Sequence, residues 1–274
     1  HPVAVHDSDE LVPANLLDAE ATSAAVAGSE VAYLTVGLPL DSALWEAQLP
    51  VMMANVLAAC REHGAKLVFF DNTYMYPRTA TPQVEDTPFE PVGRKATVRA
   101  EIATMVLTAM GAGEVDAVIC RAPEFYGPGK TQSLTNSAVF DRIKNGTRPL
   151  VPVSADTRRT LISTPDASRA MALVGNTPDA FGQTWHLPCD EDRLTYRQMI
   201  ARAGQVLDRR IGHTTVPEWA FRLGGLVNPS AREAEELLPR YRQDNIFESA
   251  KFTERFPDFA VTTYDEGIAA LVRG

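Results

Sequence analysis

Three short apolar runs, each followed at once by polar residues or by glycine and proline, constrain the fold of this chain most. They are VAYLTV at residues 31–36, LVFF at 67–70 and DAVICRA at 116–122. Runs of this length without polar alternation are typical of strands buried on both faces of a sheet. Helical patterns separate them, with apolar residues every three to four positions at 44–63 and 94–110. The alternation predicts βαβ units, and therefore a parallel sheet covered by helices.

Polar side chains follow two of these strands, at the edge where open parallel sheets bind ligands. The residues after the second strand are Asp71, Asn72, Thr73 and Tyr74, and the loop PEFYGPG at 123–129 follows the third strand. We expect the two loops to meet at one edge of the sheet and to form a site. The alternative is an ordinary polar loop, in which an aspartate more often caps a turn than acts in catalysis.

The charge balance and the cysteines limit the class of protein. With 26 basic and 35 acidic residues the net charge is −9, which argues against nucleic acid or an anionic membrane as a partner. The sequence shows no apolar run near the roughly 18 residues that span a bilayer, and no signal-peptide pattern. The three cysteines are far apart without metal-ligand spacing, so we expect no metal site and a reducing, cytoplasmic location.

Six segments, in the right order, resemble motifs of the extended short-chain dehydrogenase/reductases, the NAD-dependent epimerase/dehydratase family. No single segment is specific, but six segments in the right order are a fairly strong signal. Two segments resemble cofactor contacts: Asn15-Leu16 before Asp18 is similar to a segment that touches adenine, and Thr35-Val36-Gly37 is similar to the turn along the cofactor. Two more resemble the surroundings of the catalytic helix: 69–76 is similar to the fifth strand and its polar end, and 85–91 is similar to the acidic and proline-rich approach to that helix. The last two are 121–129, similar to the Arg-x-x-Asn-x-Tyr-Gly-Pro-Gly loop, and 161–170, similar to a later segment with Asp before a helix.

The resemblance implies a Rossmann-like, doubly wound parallel sheet in residues 1–127 and a smaller substrate lobe in 128–274, with segments near 155–190 returning to the sheet. It implies binding of NAD or NADP and hydride transfer at a carbonyl or hydroxyl of a small, sugar-like substrate. It also implies a homodimer through helices 44–63 and 94–110. The cofactor contacts that it implies are Asn15, Leu16, Thr35, Val36, Gly37, Asn72, Lys95, Ala122, Pro123 and Phe125.

The chain departs from the family first in its glycines, since no GxxGxxG motif occurs in the sequence. In the family that motif lies on the first strand and helix, where the backbone approaches the cofactor pyrophosphate. Without a first strand, the run 31–36 has an open edge. We therefore expect the natural protein to extend upstream by a strand, a helix and another strand. A rearranged sheet or a dimer that covers the edge is the alternative.

The second departure concerns the catalytic Tyr-x-x-x-Lys pair. The resemblance places Val92 at the tyrosine and Ala96 at the lysine, with Lys95 one residue away. Valine cannot transfer a proton, so we predict that Thr73, Tyr74 and Lys95 are the catalytic residues. A non-catalytic NAD(P)-binding regulatory protein of the same fold is the alternative function.

Other polar residues have a plainer interpretation beside the functional one. Arg158 and Arg159 suit the phosphate of a nucleotide-linked substrate, although a surface pair is the expected role. His186 has no partner in metal spacing and is interpreted as a structural histidine. Glu124 and Tyr126 border the predicted pocket, where a packing role is at least as good an interpretation.

Overall fold

The computed structural model describes residues 4–129 and 131–273 of the chain. Long helices alternate with strands in the first half, and shorter strands and helices make up the second half. A π-helical turn at Asn136–Phe140 precedes α4, and a 3-10 turn at Leu238–Tyr241 follows α8. In chain order the elements are α1 (Ala19–Val26), β1 (Val31–Leu34), α2 (Ser42–His63), β2 (Lys66–Asp71), α3 (Arg94–Gly111), β3 (Ala117–Arg121), β4 (Glu124–Tyr126), α4 (Asp141–Lys144), β5 (Leu150–Pro152), β6 (Arg158–Arg159), β7 (Leu161–Ser163), α5 (Thr164–Gly175), β8 (Thr184–His186), β9 (Leu194–Thr195), α6 (Tyr196–Val206), β10 (Thr214–Val216), α7 (Glu218–Gly225), α8 (Pro229–Glu235), α9 (Ala250–Arg255) and α10 (Tyr264–Arg273).

Four strands form the main sheet, in the order β1-β2-β3-β8, and every neighbouring pair is parallel. Leu67 in β2 lies opposite Ala32 on one side and Ala117 on the other. β8 comes from the second half of the chain and pairs with β3. Within the described residues β1 pairs with β2 alone. The predicted Rossmann-like parallel sheet is confirmed.

Helices cover both faces of this sheet, which is why its strands read as unbroken apolar runs. On one face Leu67 and Phe69 pack in a buried cluster with Val56 of α2 and Ile102 of α3. On the other face the intervening Val68 packs in a cluster with residues of α5 and α9. Successive residues of a strand point to opposite faces, so β2 contributes to both cores at once.

A further buried cluster lies in the second half of the chain. It contains Phe140 before α4, Tyr196 and Ile200 of α6, and Ile268 of α10. Tyr126 of β4 belongs to it as well and stacks on Tyr264, with ring centroids 5.7 Å apart. The loop that leaves the sheet after β3 is therefore anchored in this second cluster.

Helix α2 contradicts the expectation that the chain has no apolar stretch long enough to span a bilayer. It contains an 18-residue window with a mean hydropathy of 1.2, long and apolar enough to cross a membrane by length and composition. One side of it nevertheless packs in the buried cluster that contains the sheet residues Leu67 and Phe69, with Trp45, Met53 and Cys60 buried. The helix of a core layer meets the same hydropathy criterion as a membrane span because both are surrounded by apolar groups.

Candidate functional site

A cavity of about 600 Å³ opens at the carboxyl ends of β1, β2 and β3. Thr35, Asn72 and Ala122 are the first residues after these three strands, and all of them line it. Leu237 and Tyr241, from the segment that follows α8, line it as well. The predicted convergence of the strand-end loops is thus observed, and a wall from the C-terminal part of the chain is added to it.

Most of the predicted site residues line this cavity, but three do not. Asn15 lies in an exposed turn, where its Oδ1 accepts a hydrogen bond from the N–H of Leu17 at 3.1 Å. Leu16 packs against the cluster of α2, and its carbonyl accepts a bond from Asn55 at 2.8 Å. Lys95 is buried at the start of α3, outside the lining. The predicted residues that line the cavity are Thr35, Val36, Gly37, Asn72, Thr73, Tyr74, Ala122, Pro123 and Phe125.

Tyr74 presents a phenol to the cavity. Its ring stacks on that of Trp45, with centroids 6.2 Å apart and planes 9° from parallel. Among the described residues its hydroxyl makes no hydrogen bond, whereas its backbone N–H donates to Asn72 at 3.0 Å. Burial raises the pKa of this phenol, and the carboxylate of Glu124 adds to the effect. The hydroxyl therefore keeps its proton and is suited to donate a hydrogen bond to a ligand.

Behind the cavity wall, the ends of three strands are joined by what we call the strand-end network: Asp71, Tyr76, Arg99, Arg121 and His186. Asp71 is 1% exposed and accepts from Arg99 at 2.5 Å and from Arg121 at 3.0 Å. Arg121 also donates to the Tyr76 hydroxyl at 2.7 Å. The single negative charge of Asp71 is shared by two buried guanidinium groups, so one positive charge is left over. Asp71 and Arg99 of this network also line the cavity.

His186 closes the strand-end network at its far end. Its Nε2 lies 2.7 Å from the Tyr76 hydroxyl, and its Nδ1 lies 2.7 Å from the carbonyl oxygen of Glu248. Burial lowers the pKa of His186 to about 3, so the ring is neutral. The carbonyl can only accept, which assigns the proton to Nδ1 and makes Nε2 the acceptor of the Tyr76 hydroxyl. A structural histidine, as interpreted from the sequence, has this kind of environment.

Lys95 belongs to a second assembly, which we call the helix-start network: Ser42, Lys95, Glu233 and Glu236. The Lys95 side chain is 1% exposed, and its Nζ lies 2.5 Å from Glu233 Oε2, 2.7 Å from Ser42 Oγ and 3.7 Å from Glu236 Oε2. Hydrogen bonds from Lys95 and Ser42 outweigh the opposing effect of burial and lower the pKa of Glu233 to about 2.

Glu236 of the helix-start network also caps α3. The helix has no side-chain cap of its own, because its N-cap residue is Gly93, with a φ of 98°. Glu236 accepts from the N–H of Lys95 at 3.0 Å instead. A Cβ atom at position 93 would overlap the Glu236 carboxylate, so glycine is needed both for the backbone angle and for this approach. Nothing in the sequence predicts this contact except the acidic residues Glu233, Glu235 and Glu236.

A third cluster of polar side chains is centred on Glu124, which lines the cavity. Its carboxylate accepts from Tyr196 and Tyr241 at 3.3 Å each, from Thr135, and from Arg159 at 3.1 Å. Arg159 is 2% exposed, so the expected surface pair is wrong for this residue.

Neighbouring arginines in the sequence have different surroundings here. Arg158 is exposed and pairs with Asp244 at 2.8 Å, as a surface residue would. The short strand β6 turns successive side chains to opposite sides, which explains why Arg158 and Arg159 differ.

Arg240 differs from the other arginines of the cavity because no carboxylate lies within 4.0 Å of it among the described residues. It donates to the carbonyls of Tyr74 and Tyr76, the latter at 3.1 Å, and its guanidinium lies 5.9 Å from the centre of the Tyr74 ring. Burial, with the nearby charge of Arg78, lowers its pKa to about 10, which still leaves it charged at neutral pH.

Acid–base groups and cations are present at this site, whereas a metal centre is not evident. The part of the chain that the structure describes contains no group of three or more His, Cys, Asp or Glu that could hold a metal ion. A free phenol, three arginines and a set of strand-end backbone groups face one cavity. Such a site can hold a polar, negatively charged molecule and donate a proton to it.

Comparison with solved structures shows the fold of known relatives. UDP-glucose 4-epimerase from Thermus thermophilus, in complex with NAD, superposes with a TM-score of 0.75 at 14% identity, over 98% of this chain and 85% of that one. UDP-glucuronic acid 4-epimerase from Bacillus cereus, in complex with NAD, gives 0.73 at 11% identity, over 92% and 76%. RMD from Pseudomonas aeruginosa, complexed with NADPH, gives 0.73 at 13% identity, over 96% and 88%.

Sequence comparison agrees with the structural likeness. No curated protein sequence matches the chain significantly. Residues 3–187 match the family model described as the NAD dependent epimerase/dehydratase family. This segment includes β1, β2 and β3 with the loops that form one side of the cavity. The family that the motifs resemble is thereby confirmed, and this chain belongs to the NAD dependent epimerase/dehydratase family.

Proposed function

We propose that this chain is an NAD(P)-dependent oxidoreductase of the epimerase/dehydratase type, acting on a carbonyl or hydroxyl group of a small, sugar-like substrate. The observation that carries the proposal is the cavity at the carboxyl ends of the parallel strands, with the unpaired Tyr74 hydroxyl in its wall. Open parallel sheets bind their ligands at this edge. The family membership and the cofactors bound by the structural relatives support it.

The residues present fit the nicotinamide half of such a cofactor. Thr35, Val36 and Gly37 form a turn of small residues at the end of β1, and Ala122 and Pro123 bring backbone to the cavity after β3. The glycine-rich turn that would hold the pyrophosphate does not occur in this sequence. When bound, a nicotinamide would supply or accept a hydride.

Tyr74 is the proposed proton donor or acceptor, and Thr73 is the neighbouring hydroxyl that would orient the substrate oxygen. Tyr74 needs no rearrangement to reach a ligand, because no described residue binds its hydroxyl. The ring is held by Trp45, and the backbone on either side is held by Arg240 and Asn72. Val92, at the position of the family's tyrosine, has no group that could take this role, and its side chain is 53% exposed.

One observation favours the alternative, a non-catalytic NAD(P)-binding regulatory protein. The amine of Lys95 is fully engaged with Ser42 and Glu233, and it does not line the cavity. In the family the lysine holds the cofactor ribose and lowers the pKa of the tyrosine. Because the Lys95 amine is bound to Ser42 and Glu233, it would not lower the pKa of a proton-donating tyrosine, and cofactor binding alone would remain.

Thermal unfolding with NADH, NADPH and nicotinamide mononucleotide tests the cofactor first. The mononucleotide is included because it is the half that this chain's residues fit. At a hundred times its dissociation constant a ligand adds about 2.7 kcal/mol to the free energy of unfolding. If none of the three stabilises the protein, the proposal is wrong.

Turnover then separates the enzyme from the regulatory protein. Tyr74→Phe should lower the rate of NAD(P)H oxidation with a sugar carbonyl substrate by about 10²–10⁴-fold, the usual contribution of a general acid. Tyr33→Phe is the matched control, since Tyr33 lies on the same sheet outside the cavity and is 43% exposed. Cofactor binding without any rate that depends on Tyr74 would support the regulatory protein.

We also propose a homodimer through α2 and α3. A groove of about 760 Å³ runs between the outer faces of these helices, and small side chains such as Ala54, Ala58 and Ala100 line it. Small residues allow two helix pairs to approach closely. Ala100→Arg should convert a dimer to a monomer in sedimentation experiments, and an unchanged mass would contradict the proposed interface.

A further inference from the structure

The cavity has more positive than negative charge. Among its lining residues Arg99, Arg159 and Arg240 are cationic, whereas Asp71 and Glu124 are the acidic ones. Asp71 must in addition neutralise Arg121, which lies behind it. Buried charges without a partner are costly, and a protein keeps them where a ligand provides the opposite charge.

The surplus charge is localised at one residue. Arg99 has its carboxylate in Asp71, and Arg159 has its carboxylate in Glu124. Arg240 is 7% exposed and is bound only by backbone carbonyls of the Tyr74 loop among the described residues. Its guanidinium lies near the Tyr74 ring, so a group bound to Arg240 would be held beside the proposed proton donor.

The carboxylate of Glu124 occupies the position beside Arg159 that an anionic group of a ligand would otherwise take. Four side chains donate to this carboxylate, and Arg159 is one of them. The other amine of the Arg159 fork donates to the backbone carbonyl of Arg240 at 2.6 Å, so both amines of Arg159 are engaged by the protein itself. A ligand with a second phosphate would need a second cation, and the other two arginines of the lining, Arg99 and Arg159, are already paired with Asp71 and Glu124.

We propose that the cavity binds a small hydroxylated molecule with one terminal oxyanion group, a carboxylate or a phosphate monoester, through Arg240, and that Glu124 excludes diphosphate-linked substrates. The inference rests on the proposed function, because it takes this cavity as the substrate site. It identifies Arg240 as the residue that binds the substrate's charge and Glu124 as the residue that sets the number of phosphates accepted.

Binding to the full chain without cofactor tests the proposal. The probes are gluconate, glucose 6-phosphate, UDP and neutral glucose, titrated by calorimetry at about 0.15 M salt, where exposed charges are largely screened. We expect gluconate or glucose 6-phosphate to bind at least tenfold more tightly than UDP and glucose. Which of these two anions binds more tightly identifies the oxyanion as carboxylate or phosphate.

Three variants assign the effect to residues. Arg240→Gln should weaken binding of the preferred sugar anion at least tenfold, and Arg240→Lys should restore part of the affinity. Arg158→Gln is the matched control, since Arg158 is exposed and paired with Asp244, and it should change nothing. Glu124→Gln should strengthen UDP binding at least tenfold, because it frees Arg159.

The proposal is overturned if UDP binds wild-type protein more tightly than both sugar anions, if none of the probes binds, or if Arg240→Gln binds as wild type does. Should Glu124→Gln fail to fold, the comparison of Arg240→Gln with Arg158→Gln still decides. Binding of the anions is measured without NADH or NADPH. A failure of cofactor binding therefore contradicts the proposed function, whereas a failure of anion binding contradicts this inference.

Discussion

The strand-end network and the helix-start network both place a charged pair beside the cavity, but they are built differently. Asp71 and Arg121 are 1% exposed each, and adjacent strands in fixed register hold them. Lys95 is equally buried, yet its partners Glu233 and Glu236 have side chains that are 20% and 17% exposed. Those partners come from α8 and the residue that follows it, far away in sequence.

The difference indicates separate duties for the two networks. The register of β2 against β3 places Asp71 directly opposite Arg121, so the strand-end network is part of the sheet itself. The helix-start network instead binds residues 229–241 to the start of α3. It thereby holds in place the part of the cavity wall that Leu237 and Tyr241 form. We therefore expect damage to the first to unfold the domain and damage to the second to loosen one wall.

The largest effect is expected for Asp71→Asn. The substitution leaves Arg99 and Arg121 buried without a carboxylate, and breaking a buried pair in this way costs about 3–5 kcal/mol. Urea unfolding measures the loss. Asp116→Asn is the control, because its pair with Lys66 is exposed and is worth at most about 1 kcal/mol. If Asp71→Asn and Asp116→Asn lose the same free energy of unfolding, the strand-end network is no more important for stability than an exposed ion pair.

A smaller loss is expected for Glu233→Gln, about 1–3 kcal/mol. The buried Lys95 amine loses its nearest charge but keeps Ser42 and the more distant Glu236. The variant should also be cleaved faster by protease within residues 229–241. Glu235→Gln is the control, since its pair with Arg222 is exposed. A Glu233→Gln protein as resistant as the control would contradict the proposed fastening.

The two networks should lose stability in different pH ranges. His186 stays neutral in the folded protein down to its pKa of about 3, whereas the unfolded chain takes up the proton near pH 6.5. Protons therefore favour unfolding as the pH falls from 6.5 toward 3, by at most about 1.4 kcal/mol per pH unit. His186→Gln should flatten this part of the stability curve, and His6→Gln, at an exposed position, should not.

For the helix-start network the relevant group is Glu233, with its pKa lowered to about 2. A lowered pKa means that the ionised side chain stabilises the fold above about pH 4.5, and that this contribution is lost as the pH falls toward 2. The difference between wild type and Glu233→Gln should therefore be constant above pH 5 and shrink below 4.5. A difference that already shrinks between pH 6.5 and 5 would show that another group is responsible.

The smallest effect on stability is expected for Tyr74→Phe, at a residue whose hydroxyl belongs to neither network. The ring keeps its stacking on Trp45, and the lost hydroxyl had no partner among the described residues. The free energy of unfolding should change by no more than about 0.5 kcal/mol. A loss above 1 kcal/mol would indicate that the hydroxyl supports the fold rather than a ligand.

The sheet and the strand-end loops could be predicted because they depend on local patterns. Apolar runs of four to seven residues between helical patterns leave few arrangements other than parallel strands, and β2 and β3 indeed appear where the runs are. Polar residues after such strands must lie at one edge, so Thr73 and Tyr74 were located by the strand that precedes them. Helix α3 begins at Arg94 as predicted.

The surroundings of Lys95, Arg159 and Arg240 could not be predicted in this way. Arg158 and Arg159 are adjacent and identical in type, and only the pairing of β6 turns one to solvent and the other to Glu124. No sequence pattern marked Arg240, because what distinguishes it is that no carboxylate of the described residues pairs with it in the folded structure.

The sequence by itself determined the layers, the strand order along the chain and the position of the cavity, since burial and backbone geometry act over a few residues at a time. Only the tertiary structure decided which charges meet. Glu233 reaches Lys95 across 138 residues, and Arg159 meets Glu124 across 35. Ion pairs of this kind follow from the docking of whole elements, and no periodicity in the chain encodes which cation receives a carboxylate and which is left for a ligand.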